Sequence, residues 1–243
     1  MSRIVLIHGA WHGGWCWDKV VPLLEAQGHA VAAPDLPGHG QDRTPAAQIT
    51  LESYVERVCG ELDAHPEPAV LVGHSMGGAV NALAAERRPG QVRRLVFLTA
   101  LLPRDGQTMV DLTSTPANAG SAMLPNFVVS ADRLSCTVRD DAMVDCFYGD
   151  CPAEDVARAK GLVVPTAVAP MATPIRLTAE NFGRVPRVYI ECRRDRALLP
   201  AAQRAMHEAT PCERVHALEG SHSPFFSMPD ALAGLIGEET ARP

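Results

Sequence analysis

Along most of the chain, apolar runs of strand length alternate with segments whose apolar positions recur every three to four residues. That alternation implies β–α–β units and a parallel sheet covered by helices on both faces. "RIVLIH" (3–8) reads as a buried strand, 16–28 as a helix closed by Gly28, and "AVAAPD" (30–35) as the next strand. A helix is expected over 51–65, a strand over "AVLVGH" (69–74), a helix over 76–88 and a strand over 92–100. From 101 to 183 the rhythm fails: Pro, Thr, Met and Asp are frequent, helical fragments such as "PAEDVARAKGL" occur, and no convincing buried strand is found. It resumes with "RVYIEC" (187–192), a helix near 200–209, a strand over 213–220 and a last helix near 229–240. The predicted fold class is α/β, a single domain over 1–243 with a mostly parallel central sheet and a cap inserted at about 101–183.

Composition narrows the function more than the fold. A chain of 243 residues with 47% hydrophobic content can bury a sizeable core. A formal net charge of −6, with no cluster of Lys and Arg interleaved with aromatics, argues against nucleic acid as a partner. The 7 cysteines are odd in number, scattered and free of CxxC pairs, so neither a disulfide framework nor a zinc ribbon is indicated, and a reducing compartment fits. Only Arg3 is basic near the start and only a short apolar run precedes His8, so neither a signal peptide nor a membrane span is expected. The reading is a cytoplasmic protein with no membrane partner; monomer and homodimer both stay open.

"GHSMGG", Gly73 to Gly78, carries the central chemistry: a G-x-S-x-G between a predicted strand and a predicted helix. A turn that sharp forces strained backbone angles on Ser75, lifts its hydroxyl out of the sheet and leaves the N–H of Met76 at a helix N-terminus, ready for a developing oxyanion. A serine hydroxyl needs a general base, and histidine is the usual one. Of the 9 histidines, His216 falls in a strand, His207 in a helix, and His29, His39 and His65 in loops near the amino-terminal half. His222 follows the last strand in the flexible "EGSHSP" and emerges at the same carboxyl edge of the sheet as Ser75. The orienting acid should also leave a strand end before the histidine; Asp195 does so, and Asp105 is its rival.

The first loop, "VLIHGAWHGGWCW", holds all 3 tryptophans, and His8, His12 and Cys16 recur in it at a spacing of four. On a helix these would be three metal ligands on one face, but a strand running into a loop gives no common face, and no metal is expected. The loop should lie beside the serine turn and supply the second oxyanion N–H, from Ala10. Gly9, Gly13 and Gly14 permit close backbone approach; for Trp15 and Trp17 core filling and substrate contact both stay open, with core filling at least as favoured, and Trp11 is expected to face the pocket. Arg133, Arg139 and Arg158 could meet a carboxylate, although solvation is the ordinary fate of such residues.

"HGAWHGGWCWDKVVPLLEAQGHAVAAPDLPGHG", "LVGHSMGG", "LTALLP" and "GSHSPFFSMPDALA" together resemble an α/β-hydrolase of the methylesterase and hydroxynitrile lyase branch. Bacterial carboxylesterases of that branch, including pyrethroid-ester hydrolases, are similar in "FYGDCP" and "VPRVYIEC". The resemblance implies the α/β-hydrolase fold, Ser75, Asp195 and His222 as a triad, Ala10 and Met76 as oxyanion donors, and a lid made by the insertion; two-step ester hydrolysis by these groups requires no cofactor. Plant hydroxynitrile lyases place a threonine where this chain has Gly9 and a lysine where it has Ser223, and the absence of both favours an esterase. The cap stretch "MVDLTSTPANAGSAMLP", rich in Met, Leu, Val and Thr with few fixed charges, points to a small-to-medium apolar ester, methyl or aryl. The alternatives are lyase or other non-hydrolytic chemistry on the same residues, or a small-molecule receptor.

Overall fold

The computed structural model describes residues 2–242. Its elements begin with β1 (Arg3–Ile7), α1 (Val21–Ala26), β2 (Ala30–Ala32), α2 (Leu51–Asp63), β3 (Ala69–His74), α3 (Met76–Arg87) and β4 (Val92–Leu98). The insertion then contributes α4 (Met109–Thr113), β5 (Phe127–Val129), β6 (Ser135–Val138), α5 (Met143–Phe147), α6 (Ala153–Leu162), β7 (Thr166–Ala167) and α7 (Ala169–Ala172). The chain closes with β8 (Arg187–Cys192), α8 (Pro200–Ala209), β9 (Arg214–Leu218), α9 (Pro224–Ser227) and α10 (Pro229–Ala241).

Six strands form one sheet in the order β2-β1-β3-β4-β8-β9, with every neighbouring pair parallel. Helices surround it, α2 against α3 and α1 against α10. The central strands explain their own place: Ile4 to Ile7 and all of Ala69 to His74 are buried, as strands covered on both faces must be. The chain passes from β1 to β2 at one edge and then back across to β3, so the order reverses between β1 and β3. In open α/β sheets that reversal leaves a crevice beyond the carboxyl ends of the two strands. Gly9 and Ala10 follow β1 there, and Ser75 follows β3.

Three departures from the sequence reading have local causes. The helix expected over 16–28 is instead a 3₁₀ turn at Gly14–Trp17 followed by the short α1, because Pro22 suits only a first helical turn and the chain must start the helix afresh. The strand expected over 30–35 stops at Ala32: Pro34 has no N–H for a ladder, and Asp35 turns the chain by accepting the N–H groups of Gly14 (2.6 Å) and Gln41 (2.8 Å). The insertion, read as lacking strands, holds a small antiparallel sheet, β5-β6-β7. Strands of two to four residues are too short to print a period, although in β6 Cys136 and Val138 alternate inward. No helix among the described residues is long and apolar enough to cross a membrane.

Candidate active site

The turn after β3 is as tight as its glycines imply. Ser75 sits at φ 52°, ψ −121°, outside the regions ordinary residues occupy, and caps α3. A Cβ on Gly77 would lie 2.6 Å from the carbonyl oxygen of Ile7, so only glycine lets α3 begin against the end of β1. Ser75 lines a cavity of about 240 Å³ together with Ala10, Met76 and His222. The rest of its wall is largely Met, Leu, Val and aromatic side chains, with Thr113 and Ser114 and no charged residue.

His222 is buried rather than loose. Its Nδ1 lies 2.6 Å from Asp195 Oδ2, and its carbonyl accepts the Nε2–H of His74 at 2.8 Å. The flanking residues are tied to the insertion: Ser221 donates from both its N–H and its hydroxyl to Asp150, and the Cys151 thiol donates to the Ser223 carbonyl. Asp195 Oδ1 accepts the N–H groups of Ala197 (2.7 Å) and Leu198 (2.9 Å), while Thr99 Oγ1 donates to Oδ2. The rival carboxylate stays away. Asp105 accepts the N–H of Leu177 and faces Arg176 on the surface, without reaching His222.

The first loop is held peptide by peptide. The Leu36 N–H donates to His8 Nε2 (3.0 Å), which leaves the proton on Nδ1 to be donated to the Gly9 carbonyl (2.8 Å). That carbonyl belongs to the same peptide as the Ala10 N–H. His12 Nδ1 donates to the Ala10 carbonyl at 2.8 Å, with Tyr148 OH on its Nε2 at 2.8 Å. Trp11, at φ 64°, donates its N–H to Thr166 Oγ1 (2.7 Å) and its Nε1–H to the Cys136 carbonyl (3.0 Å), and accepts from the Val164 N–H (2.9 Å). Among the described residues, no acceptor takes the N–H of Ala10 or of Met76, and both residues line the cavity.

Burial holds the surrounding imidazoles neutral. It drives His8 and His74 well below the usual histidine range and His12 down to about 4, with neighbouring histidines adding to each shift. His39, expected in a loop, is fully buried and is also lowered by burial; its Nδ1–H donates to the Pro37 carbonyl, so Nε2 receives the Thr166 hydroxyl at 3.0 Å.

The structure therefore brings Ser75, His222, Asp195, Ala10 and Met76 to one place and leaves Asp105 outside. The histidines of the first loop, spaced like metal ligands with Cys16, have their ring nitrogens taken by backbone and tyrosine, and Cys16 is buried. Trp11 lines the cavity, Trp17 is core, and Trp15 stacks on Phe226. Arg139 pairs with Asp141 and Arg158 with Asp18, and neither they nor Arg133 line the cavity. Sequence reasoning missed Thr99, Asp150 and Thr166, each of which reaches the site through a partner 71 or more positions away.

Comparison with known proteins follows the same lines. Residues 4–235 match the model of the alpha/beta hydrolase family. A pyrethroid hydrolase of Sphingobium wenxiniae is 34% identical over 247 residues, covering 98% of this chain and 87% of that protein. A chloroplastic Arabidopsis thaliana relative named as methylesterase 11 is also 34% identical, but the chain spans only 63% of its length. The crystal structure of a pyrethroid hydrolase from Sphingobium faniae JZ-2 superposes with a TM-score of 0.91 at 33% identity, covering 100% of this chain and 98% of that one. By sequence match and by architecture, the chain belongs to the alpha/beta hydrolase family.

Proposed function

We propose that the protein is a serine carboxylesterase that hydrolyses a small-to-medium, uncharged apolar ester through an acyl-enzyme, without a cofactor. The observation that carries this reading is the shared cavity: Ser75 on its strained turn, the Asp195-bonded His222, and the unpartnered N–H groups of Ala10 and Met76 all line or adjoin it. Ser75 Oγ attacks the ester carbonyl carbon as His222 Nε2 takes its proton, and the carbonyl oxygen becomes an oxyanion between the two N–H groups. Asp195 holds the imidazole in the tautomer that presents Nε2 and stabilises the imidazolium that forms. The ester C–O bond then breaks, with His222 returning the proton to the departing alkoxide. Water, deprotonated by the same histidine, repeats the attack and frees the acid and Ser75.

The apolar wall sets the substrate class. An acyl or alcohol group bearing its own carboxylate would be buried without a cation, at a cost of several kcal/mol. The names of the relatives, methylesterase and pyrethroid hydrolase, support small methyl esters and bulkier apolar esters as the series to assay. A lyase role is not supported. A Cβ on Gly9 would lie 2.8 Å from Ser75 Cβ, leaving no room for the lyase threonine, and Ser223 does not line the cavity. Purified protein should turn over neutral methyl, aryl and pyrethroid-like esters and discriminate against carboxylate-bearing analogues of equal size. Ser75→Ala should lose up to about 10⁶-fold in turnover while melting at the same temperature. A folded Ser75→Ala variant keeping a tenth of the activity would remove Ser75 as the nucleophile.

A further inference from the structure

Thr99 stands at the carboxyl end of β4 with φ 35°, a conformation that a β-branched residue rarely adopts. Both of its sides are pinned. Its N–H donates to the Ile190 carbonyl (2.8 Å), and the Tyr189 hydroxyl both accepts from the Ala100 N–H (3.0 Å) and donates to the Ala100 carbonyl (2.7 Å). The residue is fully buried, so its hydroxyl must find an acceptor inside the protein. It finds Asp195 Oδ2, the same oxygen that faces His222 Nδ1. With Ala197 and Leu198 donating to Oδ1, each carboxylate oxygen carries two donors, and the plane and rotamer of Asp195 are fixed before any substrate arrives.

We propose that Thr99 is a positioning residue of the triad: by sharing Oδ2 with His222 it fixes where the carboxylate meets the imidazole and limits how much of the carboxylate charge the imidazole receives. This rests on the reading of Asp195 and His222 given above. A hydrogen bond donated to Oδ2 draws charge from it and leaves less of that charge for the imidazolium that forms during turnover. The backbone strain has the same meaning, since the Ser75 and Thr99 turns are both held at positive φ by the strands beside them.

Several buried ionisable groups packed around the pair are shifted away from neutrality. Burial raises Tyr189 and Cys192 well above their usual ranges and Cys146 to about 11, and it lowers His74 strongly and His12 to about 4. Arg196 is paired with Asp145, and Asp150 is held by Ser221. A change in the pH profile caused at Thr99 would therefore report on the Asp195–His222 contact.

The test compares wild type with Thr99→Val and Thr99→Ser, measuring kcat and KM for a neutral p-nitrophenyl ester from pH 5 to 9 and the low-field proton resonance of the His222 Nδ1–H. In Thr99→Val the imidazolium is better stabilised, so the acid limb of kcat/KM should move up by about half a pH unit or more. The resonance should shift, and because the carboxylate loses the donor that fixes its plane against the imidazole, kcat should fall roughly tenfold with KM within about twofold. Thr99→Ser should restore the wild-type limb and resonance. A folded valine variant with the wild-type limb and resonance overturns the proposal whatever its kcat. If that variant does not fold, Thr99→Ala removes the same hydroxyl and is judged by the same readouts. Asp195→Asn, run alongside, separates the two ideas: full activity there sinks the triad itself, whereas inactivity there with an unmoved limb in Thr99→Val sinks only the role of Thr99.

Discussion

Trp11 and Thr166 lie 155 positions apart and are joined by a 2.7 Å hydrogen bond from the Trp11 N–H to the Thr166 hydroxyl. Trp11 follows Ala10, so a residue of the insertion sets the attitude of the loop that offers the Ala10 N–H to the cavity. Thr166→Val should accordingly lower kcat by about tenfold, less than the roughly 10²–10³-fold cost of losing an oxyanion donor outright, because the N–H is displaced rather than removed, with little change in KM. Thr166→Ser should keep most of the activity. Equal kcat in the valine variant and wild type, measured with a saturating ester, would show that the loop holds its shape without this bond.

Asp195→Asn should depress kcat by about 10⁴-fold, because the amide cannot both hold the imidazole tautomer and neutralise the imidazolium. Asp105→Asn should leave turnover within about twofold, since Asp105 is more than half exposed and its polar partners are Leu177 and Arg176, away from His222. Steady-state kinetics on both variants decide it, and the reverse ranking would move the acid to the end of β4.

Gly9→Ala should abolish activity or folding. The new methyl would sit 2.8 Å from Ser75 Cβ and 2.9 Å from His74 Nδ1, side-chain atoms held by the tight turn after β3 and by the fully buried His74 ring. A melting curve paired with an ester assay would show one loss or the other; a variant indistinguishable from wild type in both would show that the β1 and β3 loops yield to the extra methyl without cost.

Stability should fall as the solution is acidified from about pH 6.5, where ordinary histidines begin to take up protons. His8, His12, His39 and His74 are kept neutral by burial, His12 down to about 4, so between those limits the unfolded chain binds more protons than the folded one. Each such site removes up to about 1.4 kcal/mol per pH unit over that range. Urea unfolding at pH 7.5, 6.0 and 5.0 should give steadily lower midpoints; a midpoint unchanged from 7.5 to 5.0 would show that these imidazoles are not held neutral.

Glu239 works in the opposite, more acidic window. Burial alone would raise its pKa, but hydrogen bonds from Arg214 and His216, with the charge of Arg214, outweigh this and hold it at about 2. Its ion pairs therefore stabilise the fold above the unfolded glutamate range near 4.3 and are lost as pH falls towards 2. Glu239→Gln should lower the urea midpoint at pH 7 and narrow the difference between pH 7 and pH 3; an unaltered midpoint at pH 7 would contradict it.

The parts of the site that could be read from the sequence are those with short-range causes. Ser75 was marked by its glycines and by a buried strand of six residues next to it, all within one turn of chain. His222 and Asp195 were marked by following strands long enough to show a pattern. Thr99, Asp150 and Thr166 carry no such mark, because each acts through a partner that only the folded sheet brings near. His8 and His12 were visible but ambiguous: their spacing suits a helix face, and what they do, grip the carbonyls of Gly9 and Ala10, depends on a loop conformation that spacing does not encode. The insertion was legible only as a break in rhythm, since its strands are shorter than one period of evidence requires.

The insertion grips the Ala10 loop through Thr166, Val164 and Cys136, and the His222 loop through Asp150 and Cys151. It cannot then be grafted from a relative as an interchangeable module. A transplanted segment with a better pocket but without those five anchors would arrive with its specificity and unseat the catalyst. Recombination experiments on this scaffold should therefore cut outside 101–183 only if the donor also brings matching partners for Trp11, Ser221 and Ser223, and libraries that vary the wall while leaving the anchors fixed should yield far more active members than libraries of whole swapped segments.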